Sequence, residues 1–159
     1  MKLRNQLLLD GHSKGSTPLQ ALGYYIPFIT SFINNMRKIE REMIQAIIDR
    51  KSFNKANTSV SIEYAGTMLD HYKDAYMTIK LHGNEIAKYY YNKDNTPLYI
   101  NHCGWKTNTT KSRLNALISF VQGGLSGIYQ KNFEWIVKRV KNGDGSVYEY
   151  PMPNAWLLV

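Results

Sequence analysis

Between Gly104 and Ile118 the chain reads Gly-Trp-Lys-Thr-Asn-Thr-Thr-Lys-Ser-Arg-Leu-Asn-Ala-Leu-Ile, and its polar residues have the chemistry of an anion contact. Thr109 or Thr110 suits a helix cap, because a hydroxyl accepts a hydrogen bond from a backbone N–H that the first turn leaves unpaired. A helix N-terminus carries partial positive charge and favours Asp or Glu. Here Lys106 precedes it, and Lys111 and Arg113 stand in its first turn, each like-sign placement costing about 0.3 kcal/mol. A phosphate reverses that cost: amides, the hydroxyls of Thr107, Thr109 and Thr110, and the three cations would converge on one anion. Asn115, one turn beyond Lys111, either hydrogen-bonds the ligand or ties the helix to the preceding loop. Trp105 is expected chiefly as an anchor packed beneath the turn, with stacking on a base as its other role. Tyr89 and Tyr91, which share a face of a strand, are further stacking candidates.

The charge balance points the same way. Twenty Lys and Arg stand against 12 Asp and Glu, a formal charge of +8. From Lys106 to Lys141 there are seven cations and one acid, Glu134, so that 7 − 1 = +6 falls in under a quarter of the chain. Such a field attracts phosphates, acidic protein surfaces or anionic lipid. Lys138, Arg139 and Lys141 have a plainer reading as cations at a helix C-terminus.

Other chemistries find little support. His102 and Cys103 are adjacent on a predicted strand and point to opposite faces, so they do not pair; a buried Cys and a partly exposed His are expected. Asp70, His71 and Asp74 have no nucleophile nearby, and His71, His82 and His102 fall short of a full metal set. The loop Asp10–Pro18 is only superficially like a phosphate loop, since Lys14 precedes Gly15. No catalytic residue, metal or cofactor is therefore expected. A single cysteine excludes an intrachain disulfide and suits a reducing cytosol. No apolar run approaches the roughly 20 residues of a membrane span, and Met1–Asp10 reads as mature protein, so a cytoplasmic protein without membrane contact is expected. Oligomeric state is left open.

The elements that must position these residues read as one α+β domain, an antiparallel β-meander packed against helices from the N- and C-terminal regions. Residues 1–18 form a lead-in and 19–53 a helical region, with apolar residues from Phe28 to Ile47 at helical spacing. Residues 58–103 alternate with period two around the turns His82-Gly-Asn84 and Lys93–Thr96, connections too short for parallel crossovers. Residues 104–142 are expected to form two helices. The first carries Leu114, Leu117, Ile118 and Val121 and is stopped by Gly123-Gly124; the second spans about Ser126 to Lys141. Residues 146–159 give a last strand and a tail tucked against the body.

The stretch from about Ser59 to Leu117 resembles a loose family of small bacteriophage-encoded proteins. The shared features are a His82-Gly83-Asn84 turn, then Gly104, Trp105, Thr107, Thr109, Thr110, Lys111, Arg113, Leu114 and Asn115 in the pattern Gly-Trp-x-Thr-x-Thr-Thr-Lys-x-Arg-Leu-Asn. The resemblance implies a phage origin, hence the host bacterial cytosol, and implies no reaction. Three functions follow. The favoured one is a protein that binds nucleic acid, or another phosphate-bearing ligand, through the Thr/Lys/Arg helix entrance. The alternative is an inhibitor of a host defence enzyme or nuclease acting through protein–protein contacts. A small enzyme or nucleotide binder using the same anion site ranks last.

Overall fold

Alternating β-branched and aromatic residues from Thr58 to Ile100 form a meander in the computed structural model, which describes residues 36–64, 75–91, 96–141 and 144–159. The elements in order are α1 (Lys38–Ile48), β1 (Phe53–Lys55), β2 (Thr58–Tyr64), β3 (Ala75–Leu81), β4 (Asn84–Tyr90), β5 (Leu98–Ile100), α2 (Asn108–Gln122), β6 (Gly127–Lys131), β7 (Glu134–Val140), β8 (Val147–Pro151) and β9 (Leu157–Leu158). Six strands make one antiparallel sheet in the order β1-β2-β3-β4-β5-β9, closed at one edge by the C-terminal tail. Strands β6-β7-β8 make a second, smaller antiparallel sheet. The fold is thus α+β with a meander, as the periodicity indicates.

One core is shared by all these elements. Met43, Ile44 and Ile47 of α1 and Leu114, Leu117 and Ile118 of α2 pack on Val60, Met77, Ile79, Leu98 and Ile100 of the large sheet. Ile128, Trp135 and Val137 extend that core to the small sheet. On the large sheet's other face the period-two alternation places Tyr76, Thr78 and Lys80 of β3 beside Lys88 and Tyr90 of β4 and Tyr99 of β5.

The second helix expected from about Ser126 to Lys141 is instead the β6–β7 hairpin. Its apolar spacing fits a helix loosely, but Ile128, Tyr129, Trp135, Ile136, Val137 and Val140 are all β-branched or aromatic. Trp135 and Val137 alternate with more exposed neighbours, and Asn132–Phe133 make a two-residue turn in which both φ angles are positive. Helix α2 itself ends on Gly123 in the left-handed conformation (φ 70°), where glycine avoids the Cβ clash. The lead-in and residues 19–35 of the helical region, the Asp10–Pro18 loop, the Asp70-His71-Asp74 group and Lys93–Asn95 lie outside the described residues.

Candidate nucleic-acid interface

The entrance to α2 is a rigid turn. Cys103 and Gly104 both have positive φ (51° and 80°), and Trp105 N–H closes the turn on His102 O at 2.7 Å. Cys103 N–H donates to Asn101 Oδ1, and Gly104 N–H donates to His102 Nδ1 at 3.0 Å, so that ring nitrogen is unprotonated. The Cys103 thiol donates to Glu85 O, and burial pushes its pKa up, which makes it an inert structural donor. His102 is the buried member and Cys103 the half-buried one, the reverse of expectation, because the turn swings the imidazole edge-on against Trp135. Burial, and then the charge of Lys106, hold His102 below its ordinary pKa of 6.5.

The cap is Thr107, not Thr109 or Thr110: its Oγ accepts Thr110 N–H at 3.1 Å. Thr110 is buried and shares a hydroxyl hydrogen bond with Thr107. Thr109 is exposed.

Arg113 turns away from this entrance. Its side chain is buried (5% exposed), and Nη1 meets Glu40 Oε1 of α1 at 2.9 Å while Nε donates to Thr58 Oγ1 of β2 at 3.2 Å. Glu40, equally buried, also accepts Ser112 Oγ and, at 3.1 Å, the Arg37 N–H that starts α1. Burial draws the guanidinium below its ordinary pKa and the Glu40 carboxylate draws it back up. This pair joins both helices to the sheet, so Arg113 does not stand with Lys106 and Lys111.

Asn115 likewise serves the fold. Its amide donates to Ile128 O (2.8 Å) and its carbonyl accepts Ile128 N–H (2.6 Å), so the side chain pairs with the β6 edge as a strand would. Gly127 permits the approach, since a Cβ there would meet Asn115 Oδ1 at 3.0 Å. Of the two roles expected for Asn115, tying the helix to neighbouring chain is the one seen.

This clamp fixes where the β6–β7 turn lies. From Ile128 to Phe133 the strand advances about 16 Å, while from Asn115 back to Thr107 the helix spans about 12 Å. Two contacts give the direction. Trp135, just after the turn, touches His102 before the helix; Val140 and Lys141, at the other end of β7, line a cleft with Val121 and Gln122 at the helix's far end. The hairpin tip therefore reaches the same end of the molecule as Trp105, Lys106 and Lys111.

That end is polar, cationic and aromatic. Among the described residues, Lys106, Lys111 and Lys131 have no carboxylate partner. Glu134, paired with Lys131 in the hairpin register, is the acid nearest the tip. Trp105 is 60% exposed instead of buried beneath the turn, while His102 and Trp135 are the buried rings next to it in the chain and across the core. Phe133 is 94% exposed. Among the described residues, the other consecutive pairs with positive φ are Ala56-Asn57, His82-Gly83, Cys103-Gly104 and Gly123-Gly124, and this one alone puts a bulky residue at its second position, with φ 64°. Asn or Gly belongs there, and a left-handed aromatic costs roughly 1–2 kcal/mol.

The remaining stacking candidates are placed elsewhere. Tyr89 is in the core, edge-on to Tyr91, whose hydroxyl bonds Ile47 O and whose ring lies 4.4 Å from the Arg50 guanidinium carbon. Neither offers an open ring face. The aromatics on the sheet's outer face are Tyr76, Tyr90 and Tyr99, the opposite parity: Tyr76 and Tyr90 stack at 5.0 Å and Tyr90 meets Tyr99 edge-on. Lys80 and Lys88 beside them both pair with Glu85, and Tyr76 donates to Glu63. The Glu63 bond lifts the Tyr76 pKa to about 12. This face carries rings, two lysines sharing the Glu85 carboxylate, and Glu63 held by the Tyr76 hydroxyl. No group of His, Cys, Asp and Glu suited to a metal occurs among the described residues, and no described helix is long and apolar enough to cross a membrane.

Such a chain is a small basic α+β protein with an aromatic and cationic end, and its family is one of phage-encoded proteins. It belongs to the Kyanoviridae Gp96 protein family, whose model matches residues 36–154. That match takes in both sheets up to β8, both helices and the entire entrance to α2. No curated protein matches the chain, and no solved structure does.

Proposed function

We propose that this phage protein binds nucleic acid at the end formed by the α2 entrance and the β6–β7 turn. One observation carries the reading: an indole that is 60% exposed, Trp105, stands at the α2 entrance with Lys106 and Lys111, and these two lysines and Lys131 of the neighbouring hairpin have no carboxylate partner among the described residues. Phosphates supply the counter-charge and a base supplies the ring face. Of the residues expected to contact phosphate, Lys106, Thr109 and Lys111 stay in the proposed surface. Thr107 contributes as the cap, and Thr110, Arg113 and Asn115 act through the fold.

Titration of single- and double-stranded oligonucleotides by fluorescence anisotropy tests this. Three phosphate contacts to a single strand give a log–log salt slope of about −2, so affinity falls about twentyfold between roughly 50 and 200 mM salt. Replacing Lys106 and Lys111 together by Ala reduces the slope to about −0.7. Unchanged affinity in that double variant rejects the site.

The second reading, a phage inhibitor of a host defence enzyme, draws on the Tyr76–Tyr90–Tyr99 face. Rings with locally neutralised charge are the composition of a protein contact. Retention of a host protein from nuclease-treated lysate, lost on Tyr90→Ala, would favour it.

A further inference from the structure

We infer that Phe133 is a base-inserting tip: its ring enters between neighbouring, unpaired bases of a strand held by the lysines at this end. The inference rests on the nucleic-acid reading and adds the part of the ligand that is recognised.

Phe133 is costly where it stands. Asn132-Phe133 has the backbone of a turn that Asn-Gly would form without strain. At φ 64° the phenylalanine gains no burial in exchange, since 94% of it faces solvent. A fold-directed role is therefore excluded: the ring packs on nothing within its own chain. A single ring at the apex of a two-residue turn also lacks the flanking walls of a protein-binding pocket or patch. It has instead the shape of a wedge, and apolar wedges next to cations are how proteins enter base steps.

Charge completes the match. Lys131 precedes the turn, Lys106 and Lys111 lie at the helix entrance at the same end of the molecule, and Glu134 is the acid of the hairpin turn itself. Trp105 gives a second exposed ring at the same end. Two rings and three free amines fit a strand whose bases are not already stacked in a duplex, because insertion there displaces no pairing.

The test compares an oligothymidylate of about 12 nucleotides with the same strand made abasic, by anisotropy at fixed salt. The protein should bind the abasic strand about tenfold more weakly. Phe133→Gly should lower affinity for the base-bearing strand about tenfold and leave the abasic strand unchanged, whereas Phe133→Trp should keep the difference. Because glycine suits the turn, Phe133→Gly should also melt about 3 °C higher, which separates lost binding from lost structure. A 2-aminopurine placed in the strand should change its fluorescence with the parent and not with Phe133→Gly.

The outcomes divide the claims. If both strands bind equally well, or Phe133→Gly matches the parent, insertion is wrong while charge-driven binding stands. If no strand binds at all, both fall. A parent protein that binds no strand but retains a host protein from nuclease-treated lysate, lost with Phe133→Gly, would transfer the tip to the other reading and overturn this one.

Discussion

Replacing Arg113 by Ala should unfold the protein's balance far more than its binding. The guanidinium is buried, and removing it leaves the Glu40 carboxylate in the core with only Ser112 Oγ and the Arg37 N–H as donors. Orphaning one member of a buried ion pair costs about 3–5 kcal/mol, a large share of the roughly 5–15 kcal/mol that holds a domain together. For a chain of this length, 4 kcal/mol lowers the melting midpoint by about 12 °C. Arg113→Lys keeps the charge but cannot reach both Glu40 and Thr58, which the fork contacts at 2.9 and 3.2 Å, and should lose about 1–2 kcal/mol. Removing both charges, Glu40→Leu with Arg113→Met, leaves no buried ion and should recover most of the loss.

Urea unfolding followed by tryptophan fluorescence measures these differences, and a cycle of the parent, Glu40→Leu, Arg113→Met and the double variant should give a coupling energy of about 3 kcal/mol. At temperatures where Arg113→Ala remains folded, it should bind oligonucleotides like the parent, unlike the Lys106 and Lys111 variants. An Arg113→Ala protein within 1 kcal/mol of the parent would refute the burial argument. One that stays folded yet loses affinity as the lysine variants do would return Arg113 to the contact surface.

His102 sets a pH dependence. Its folded pKa lies below the unfolded 6.5, so the neutral fold binds fewer protons than the unfolded chain; its contribution is complete above pH 6.5 and is lost as pH falls from there through the folded pKa. Stability measured from pH 7.5 to 5.5 should decline, and His102→Asn, which keeps an acceptor for Gly104 N–H, should flatten that decline. Asn115→Ala strips both bonds from Ile128 and should cost about 2–3 kcal/mol by urea unfolding, with amide exchange rising along β6. Thr107→Ala removes the cap and should cost about 1 kcal/mol, whereas Thr109→Ala should change stability little.

Much of this was readable from spacing. The meander, the period of α2 and its glycine stop follow from local patterns that the tertiary structure respects. The fate of Arg113 was also written there, though only on a helical wheel. Thr110, Arg113, Leu114 and Leu117 lie on one stripe, as do Glu40, Met43, Ile44 and Ile47. A cation on one apolar stripe and an anion on another predict a buried pair; counting charge along the sequence conceals it. Parity misplaced the tyrosines in the same manner, since Tyr89 and Tyr91 share the face that the core occupies. The β6–β7 hairpin was harder to read, because its apolar residues satisfy both periods over so short a span. Composition, not period, separates the alternatives there. The buried aromatic at this turn is His102, edge-on to Trp135 33 residues away, and no local pattern encodes that contact or leaves Trp105 outside it.

The burial of Arg113 bears on what the proposed surface can discriminate. With Arg113 in the core, the cations assigned to the proposed surface are lysines. An ammonium is a hydrated point charge that meets a phosphate in any orientation, whereas a guanidinium fork selects planar acceptors such as the edge of a guanine. Recognition beyond charge then falls to Trp105 and Phe133, and every base offers a ring face. The protein should therefore bind unpaired strands of differing sequence within about threefold of one another, weakly preferring bases that stack best. Competition among homopolymeric oligonucleotides of equal length measures this directly. A preference for one base of a hundredfold would demand hydrogen-bonded readout of base edges, and would refute recognition by ring stacking.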